Sequence, residues 1–160
     1  MNTPPKDSNP TLVLEKLKNW CAYQDRCQEE TRQKLYQLGV FSLEAENIII
    51  ALMQDGFLHE ERYAKSFVRG KFNIKHWGRI KIKAGLKTKK IPEKLIADAL
   101  KEIDEKAYFQ SLLKVLEIKS KTLKEKNPLK KNYKLMQYAY GKGYEQDLIV
   151  DALKDLGELL

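Results

Sequence analysis

One pattern limits the fold of this chain more than any other: a stretch that occurs three times. It runs LGVFSLEAENIIIALMQDG from Leu38, KKIPEKLIADALKEID from Lys89 and KGYEQDLIVDALKDLG from Lys142. Aligned on Gly39, Lys90 and Gly143, the copies lie 51 and 53 residues apart. Six residues on stand Ala45, Ile96 and Ile149, and nine on stand Ile48, Ala99 and Ala152. Ten on come Ile49, Leu100 and Leu153, and thirteen on come Leu52, Ile103 and Leu156. These offsets line one face of an α-helix with apolar side chains in every copy. A fixed period of this length marks a tandem array of small helical units that bury their apolar faces against one another.

The residues before each anchor form a second helix. Four before stand Leu35, Leu86 and Ala139, and eight before stand Thr31, Ile82 and Leu135. The middle copy, RIKIKAG, alternates polar and apolar residues and, taken alone, reads as a strand entering a turn. Its equivalents on either side read as plain helix, so the middle copy is expected to be helical too. Ile82 and Leu86 would then form one stripe, and Ile80 and Ala84 a second, as in a helix with neighbours on two sides. Gly85 weakens that helix by about 1 kcal/mol relative to alanine. A further helix opens each unit, over residues 12–27, 60–74 and 105–125.

The punctuation agrees. Gly39 and Gly143 suit helix ends, Pro92 and Pro128 first turns, Asn127 an N-cap, and Asp104 with Glu105 a helix start. The expected architecture is all-α: three tandem three-helix repeats, about nine helices, in an elongated, curved body. Residues 1–10, with three of the five prolines, are expected to be a flexible leader, followed by repeats over 11–56, 57–103 and 104–160.

The chemistry-bearing residues are sparse. Cys21 and Cys27 form no CxxC, and the only histidines, His59 and His76, are far apart in sequence. Neither a zinc site nor any other metal or cofactor is expected, and the two thiols read as reduced. HEER at His59 is not HExxH, GKGYEQ at Gly141 lacks the third glycine of a dinucleotide loop, and the carboxylates read as solvated charge. No catalytic set can be assembled, so a non-enzymatic protein is expected. The longest apolar run, residues 48–53, is far short of the roughly 20 residues a membrane span needs. With no signal-peptide pattern at the start, the expected location is the cytoplasm.

Charge is the informative feature. The net charge is +8, yet residues 65–90 alone hold ten Lys or Arg and no Asp or Glu. The positive charge is therefore localised, which points to an anionic partner. The candidate binding residues are Arg69, Lys71, Lys75, Arg79, Lys81, Lys83, Lys87, Lys89 and Lys90. Arg79, Lys83, Lys87 and Lys90 would form one stripe of mutually repelling charges along the second helix of the middle unit. A second cluster, Lys119, Lys121, Lys124, Lys126, Lys130 and Lys131, surrounds the first loop of unit three. Tyr63 and Phe67 read as core, whereas Trp77 beside Gly78 is a candidate for stacking on unpaired bases. Nothing resembles a base-reading helix-turn-helix, so contact with single- or double-stranded DNA would run through phosphates.

Residues 57–100 resemble the RecX family, regulators of the RecA recombinase. The resemblance rests on Gly56, Phe57, Leu58, Arg62, Tyr63 and Ala64, then on Gly78, Ile82, Leu86, Lys89, Ile91, Ile96, Ala99 and Leu100. The chain departs from the family pattern at His59, in place of the first of two acids, and at Arg79, where a proline is usual. It departs again at Gly85, where a glutamate is common, and at Lys90, where a turn glycine is expected. Arg62 reads as structural, a salt bridge or cap tying its helix to neighbours. The resemblance implies a modulator that binds the RecA–DNA filament and depresses its ATPase, strand-exchange and coprotease activities in recombination, DNA repair and the SOS response. The simplest reading is an elongated monomer. A general basic nucleic-acid-binding protein, or a helical adaptor for an acidic protein, are the other two readings of the same charge.

Overall fold

The computed structural model of the chain describes residues 9–158; the expected leader therefore lies almost wholly outside the described residues. All regular structure among them is helical. The first unit holds α1 (Pro10–Tyr23), α2 (Gln28–Gln37) and α3 (Ser42–Gln54), and the second α4 (Glu60–Asn73), α5 (Arg79–Thr88) and α6 (Glu93–Leu100). The third holds α7 (Glu105–Thr122), α8 (Pro128–Gly141) and α9 (Gln146–Asp155). The principal helix–helix contacts all fall inside one unit: α1 and α2 on α3, α4 and α5 on α6, α7 and α8 on α9, with α4 also on α5 and α7 on α8.

The three anchors of the repeat share one conformation. Gly39, Lys90 and Gly143 have φ of 78°, 57° and 98°. In each unit the next residue, Val40, Ile91 or Tyr144, donates its N–H back to Leu35, Leu86 or Ala139, at 2.9, 3.2 and 3.2 Å. The anchor's own N–H returns to Tyr36, Lys87 or Tyr140 at 3.0, 3.0 and 2.9 Å. This is a Schellman closure of the second helix, repeated three times, with the following apolar residue buried beneath it. Glycine meets the positive φ without strain in two copies; Lys90 meets it at a cost of roughly 1 kcal/mol.

The repeat positions line the interior. Leu35, Leu86 and Ala139 are fully buried, as are Thr31, Ile82 and Leu135. Thr31 satisfies its hydroxyl on the carbonyl of Cys27 at 2.8 Å. At the tenth and thirteenth offsets, Leu100 and Leu156 are only half-buried. RIKIKAGLKT is helix throughout, as α5. Gly85 has a packing reason: a Cβ there would lie 2.8 Å from the Phe67 ring, which crosses α5 at that point.

Several local expectations are corrected. The opening helix of unit one ends at Tyr23, and that of unit three at Thr122. Cys27 is not helical but caps α2: its Sγ accepts the Glu30 N–H at 3.4 Å while the Glu30 carboxylate accepts the Cys27 N–H at 3.4 Å. Pro92 stands at the N-cap of α6 rather than inside its first turn. The second stripe of α5 is not covered, since Ile80 and Ala84 are both exposed. Other caps are as the punctuation implied. Asp104 accepts from Ala107 N–H at 2.9 Å, and Asn127 from Leu129 and Lys130 at 3.0 and 3.2 Å. His59 fills the cap that an acid would fill, its Nδ1 accepting the Arg62 N–H at 3.0 Å.

Two apolar cores result. One, inside unit one, gathers Val13, Leu17, Leu35, Val40, Ile49 and Leu52. The other is continuous through units two and three, from Ala64, Val68, Ile82 and Ile96 to Tyr108, Leu112, Tyr144 and Leu153.

Candidate nucleic-acid interface

The segment between α4 and α5 carries the first part of the site. It is held from outside by unit three. His76 has φ of 56°, and its carbonyl accepts the Tyr144 hydroxyl at 3.0 Å, which also shares a hydrogen bond with Ser111 Oγ at 3.0 Å. Lys142 Nζ donates to the Lys75 carbonyl at 2.8 Å. Immediately after, Gly78 N–H donates to the Lys142 carbonyl at 2.8 Å and Ile80 N–H to the Gly143 carbonyl at 3.0 Å. The two backbones touch at this crossing. A Cβ on Gly78 would collide with the Gly143 carbonyl group, and one on Gly143 with Lys81. Only glycine at both positions permits it.

Arg79, expected to head the exposed stripe, is turned inward instead. Its guanidinium lies 2.7 Å from Glu105 and 3.5 Å from Glu145, and stacks 3.9 Å from the centre of the Tyr108 ring. The Tyr108 hydroxyl accepts the Arg79 N–H at 3.0 Å and donates to Glu145 at 2.7 Å. Burial, and then the Glu145 carboxylate, push the Tyr108 phenol well above its ordinary range. Arg79 is thus a joint residue between the middle and third units.

The rest of the stripe divides. Lys90 pairs with Glu29 at 3.5 Å, Lys89 with Glu30 at 3.4 Å and Lys87 with Glu93 at 3.8 Å. Arg69 faces Glu102 at 3.7 Å. In unit three, Lys121 pairs with Glu117 at 3.4 Å and Lys131 with Glu158 at 3.5 Å, while Lys119 rests over Tyr138. Lys124 and Lys130 are exposed on the α7–α8 side. Arg62 joins the units: its Nε lies 2.8 Å from Asp25, and its far nitrogen reaches the Gly56 carbonyl at 3.3 Å. Tyr63 is buried with its hydroxyl on Glu30 at 3.1 Å.

Lys83 and Lys126 are exposed as well, and among the cations without a carboxylate partner in the described residues one group is compact. Lys71 and Lys81 hold their ammonium groups 4.7 and 4.5 Å from the centre of the Trp77 ring. That ring is half-buried and lies within cation–π reach of both ammonium groups. Lys75 and Lys142 lie beside them. The Lys142 ammonium is held below the ordinary lysine range by burial and then by the charges of Lys81 and Lys75. Lys142 escaped the sequence reading because it lies outside the contiguous basic run. The repeat contained the signal, since Lys142 is the counterpart of Lys89, one residue before the anchor. Around His76 an open groove of about 320 Å³ is lined by Phe72, Asn73, His76, Gln110, Ser111 and Lys114, again without an acid. Among the described residues no cluster could hold a metal ion, and no helix is long and apolar enough to cross a membrane.

These features define a class: an all-α array of three-helix units whose conspicuous surface is a cationic joint rather than a pocket for chemistry. Comparison with known proteins is specific. Residues 60–100 match the family model for the second three-helix domain of RecX, and residues 106–153 the model for its third. The regulatory protein RecX of Bacillus mycoides (strain KBAB4) is 26% identical over 138 residues, covering 86% of this chain and 51% of that protein. Its counterpart in Bacillus cytotoxicus is 24% identical over 140 residues, 88% of this chain and 52% of that one. The chain spans about half the length of the curated relatives it matches. The crystal structure of RecX from Lactobacillus salivarius superposes with a TM-score of 0.82 at 24% identity, over 92% of this chain and 96% of that one. Another regulatory protein RecX structure gives 0.84 at 21%, over 91% and 73%. The chain belongs to the RecX family.

Proposed function

We propose that the chain is a non-enzymatic regulator of the RecA recombinase, binding the RecA–DNA filament in the cytoplasm and depressing its ATPase, strand-exchange and coprotease activities. Family membership supports this, and so does a body built of stacked units, which can touch several protomers of a repeating partner at once and gain avidity from weak contacts. The single observation that carries the reading is the cationic joint between the second and third units: it gives the regulator a place to meet the anionic interior of a nucleoprotein filament.

The test is a titration of the chain into single-strand-dependent ATP hydrolysis by the recombinase of its own host. Substoichiometric to equimolar protein is expected to lower the rate; an unchanged rate at low salt contradicts the reading. Arg79→Glu is unsuitable as a probe, because it would place a carboxylate against Glu105 and Glu145. Lys71→Glu with Lys83→Glu reverses charge on two lysines that have no carboxylate partner among the described residues and is expected to relieve the inhibition.

A further inference from the structure

We infer that the joint between the middle and third units is a phosphodiester site, taken by a nucleic-acid strand laid across residues 75–76. The inference rests on the regulatory reading above and names the surface and the ligand chemistry it would use.

Four ammonium groups meet at this joint from four separate segments. Lys71 comes from the end of α4, Lys75 from the loop, Lys81 from α5 and Lys142 from the end of α8. Three of them have a contact that orients them. Trp77 holds Lys71 and Lys81, and the Lys75 carbonyl holds Lys142. Bringing like charges together is unfavourable without an anion, and among the described residues no carboxylate pairs with them. Glu105 and Glu145 of the third unit are engaged by Arg79, which leaves α5 about 200° around the helix from Lys81. Across His76 the donor-rich surface continues into the groove of Asn73, Gln110 and Lys114. A strand passing over the loop would meet the four ammonium groups of the joint and then the amides and the single lysine of the groove.

The division of labour among the cations favours phosphate over a protein carboxylate. Every arginine of the middle unit faces a carboxylate of the chain itself: Arg62 on Asp25, Arg69 on Glu102, Arg79 on Glu105 and Glu145. The groups left at the joint are lysines, point charges that accept a phosphate from any direction and impose no sequence preference. The neutral amides of the groove match a ligand with several acceptor oxygens per repeat.

The experiment uses the whole chain and a fluorescein-labelled oligothymidylate, read by anisotropy across a salt series. Lys81→Gln with Lys142→Gln is expected to weaken binding about 10-fold and to flatten the log–log salt slope by about 1.4, the loss of two single-strand phosphate contacts. Lys75→Gln with Lys114→Gln changes two exposed side chains on which no packing depends, and is expected to weaken binding in the same direction by about 5-fold. Lys94→Gln with Lys154→Gln removes the same charge from exposed positions elsewhere and should stay within about 2-fold of the parent. Wild-type protein that does not bind at low salt overturns the inference. So do joint variants indistinguishable from the Lys94/Lys154 pair, or polyglutamate competing as well as the oligonucleotide at equal charge. The two proposals fail separately. DNA binding through the joint with unchanged recombinase ATPase sinks the regulatory reading alone, and ATPase inhibition by a wild-type chain whose oligonucleotide binding is untouched by the joint variants sinks the phosphodiester site alone.

Discussion

The first and second units meet mainly through polar side chains, whereas the second and third add a backbone crossing and a shared core to their polar contacts. At the first joint Asp25 takes Arg62 and Ser66 at 2.8 Å each. Glu30 takes Tyr63 and Lys89 at 3.1 and 3.4 Å, and Glu60 takes the Gln28 N–H at 3.1 Å. Its apolar links are Cys27, which joins the core of the next unit, and Leu58 with Phe57, which pack into the core of unit one. At the second joint Gly78 crosses Gly143, two tyrosines stand 5.1 Å apart, and one core runs through both units. The comparison teaches that tandem repeats of one design need not be equally coupled. Units two and three form one body that carries the cationic site; unit one is fastened to it by contacts that water and salt can loosen.

The largest effect is expected at the glycine crossing. Gly78→Ala or Gly143→Ala would separate the backbones and cost about 3 kcal/mol or more in urea unfolding, with units two and three failing together. Next is Tyr108→Phe, which leaves the Arg79 N–H and Glu145 without their hydroxyl partner and should cost about 1–3 kcal/mol. The first joint should respond more gently. Asp25→Asn is expected to cost about 1 kcal/mol at neutral pH, read from thermal melts. Partial burial of Asp25 disfavours its charge, but the Ser66 hydroxyl and the Arg62 guanidinium outweigh this and hold its carboxyl below the ordinary range. A lowered folded-state value means stability present above about pH 4 and lost as pH falls further. The difference between parent and variant should therefore vanish in strong acid. The smallest effect is a gain: Lys90→Gly relieves the positive φ, forfeits one exposed ion pair with Glu29, and should stabilise by about 0.5 kcal/mol.

Most of the fold was legible because one face per helix recurs at fixed offsets, and a buried face must be apolar whichever unit it belongs to. The equivalence of Leu35, Leu86 and Ala139 was enough to turn RIKIKAG from strand to helix. Lys90 was legible too, once aligned with two glycines. The site was legible only in outline. A run of positive residues along a sequence says nothing about carboxylates folded against it from elsewhere. Glu29 and Glu30 come from α2, Glu102 from the end of unit two, Glu105 and Glu145 from unit three. They neutralise residues that looked free, while Lys142 arrives from a segment that looked unremarkable. Ile80 and Ala84 were assigned a neighbour that the described residues do not supply, because a helix pattern reports which faces are apolar and not which are covered.

The chain has two tryptophans, one in each proposed body: Trp20 in α1 and Trp77 at the second joint. Urea unfolding of Trp77→Phe and Trp20→Phe, followed by the fluorescence of the remaining ring, tests the unequal coupling most directly. The expected result is two separate transitions, with Trp20 reporting loss of unit one at a lower midpoint than Trp77 reports loss of the joined units. Coincident midpoints and slopes for the two probes would contradict it, showing that all three units unfold as one.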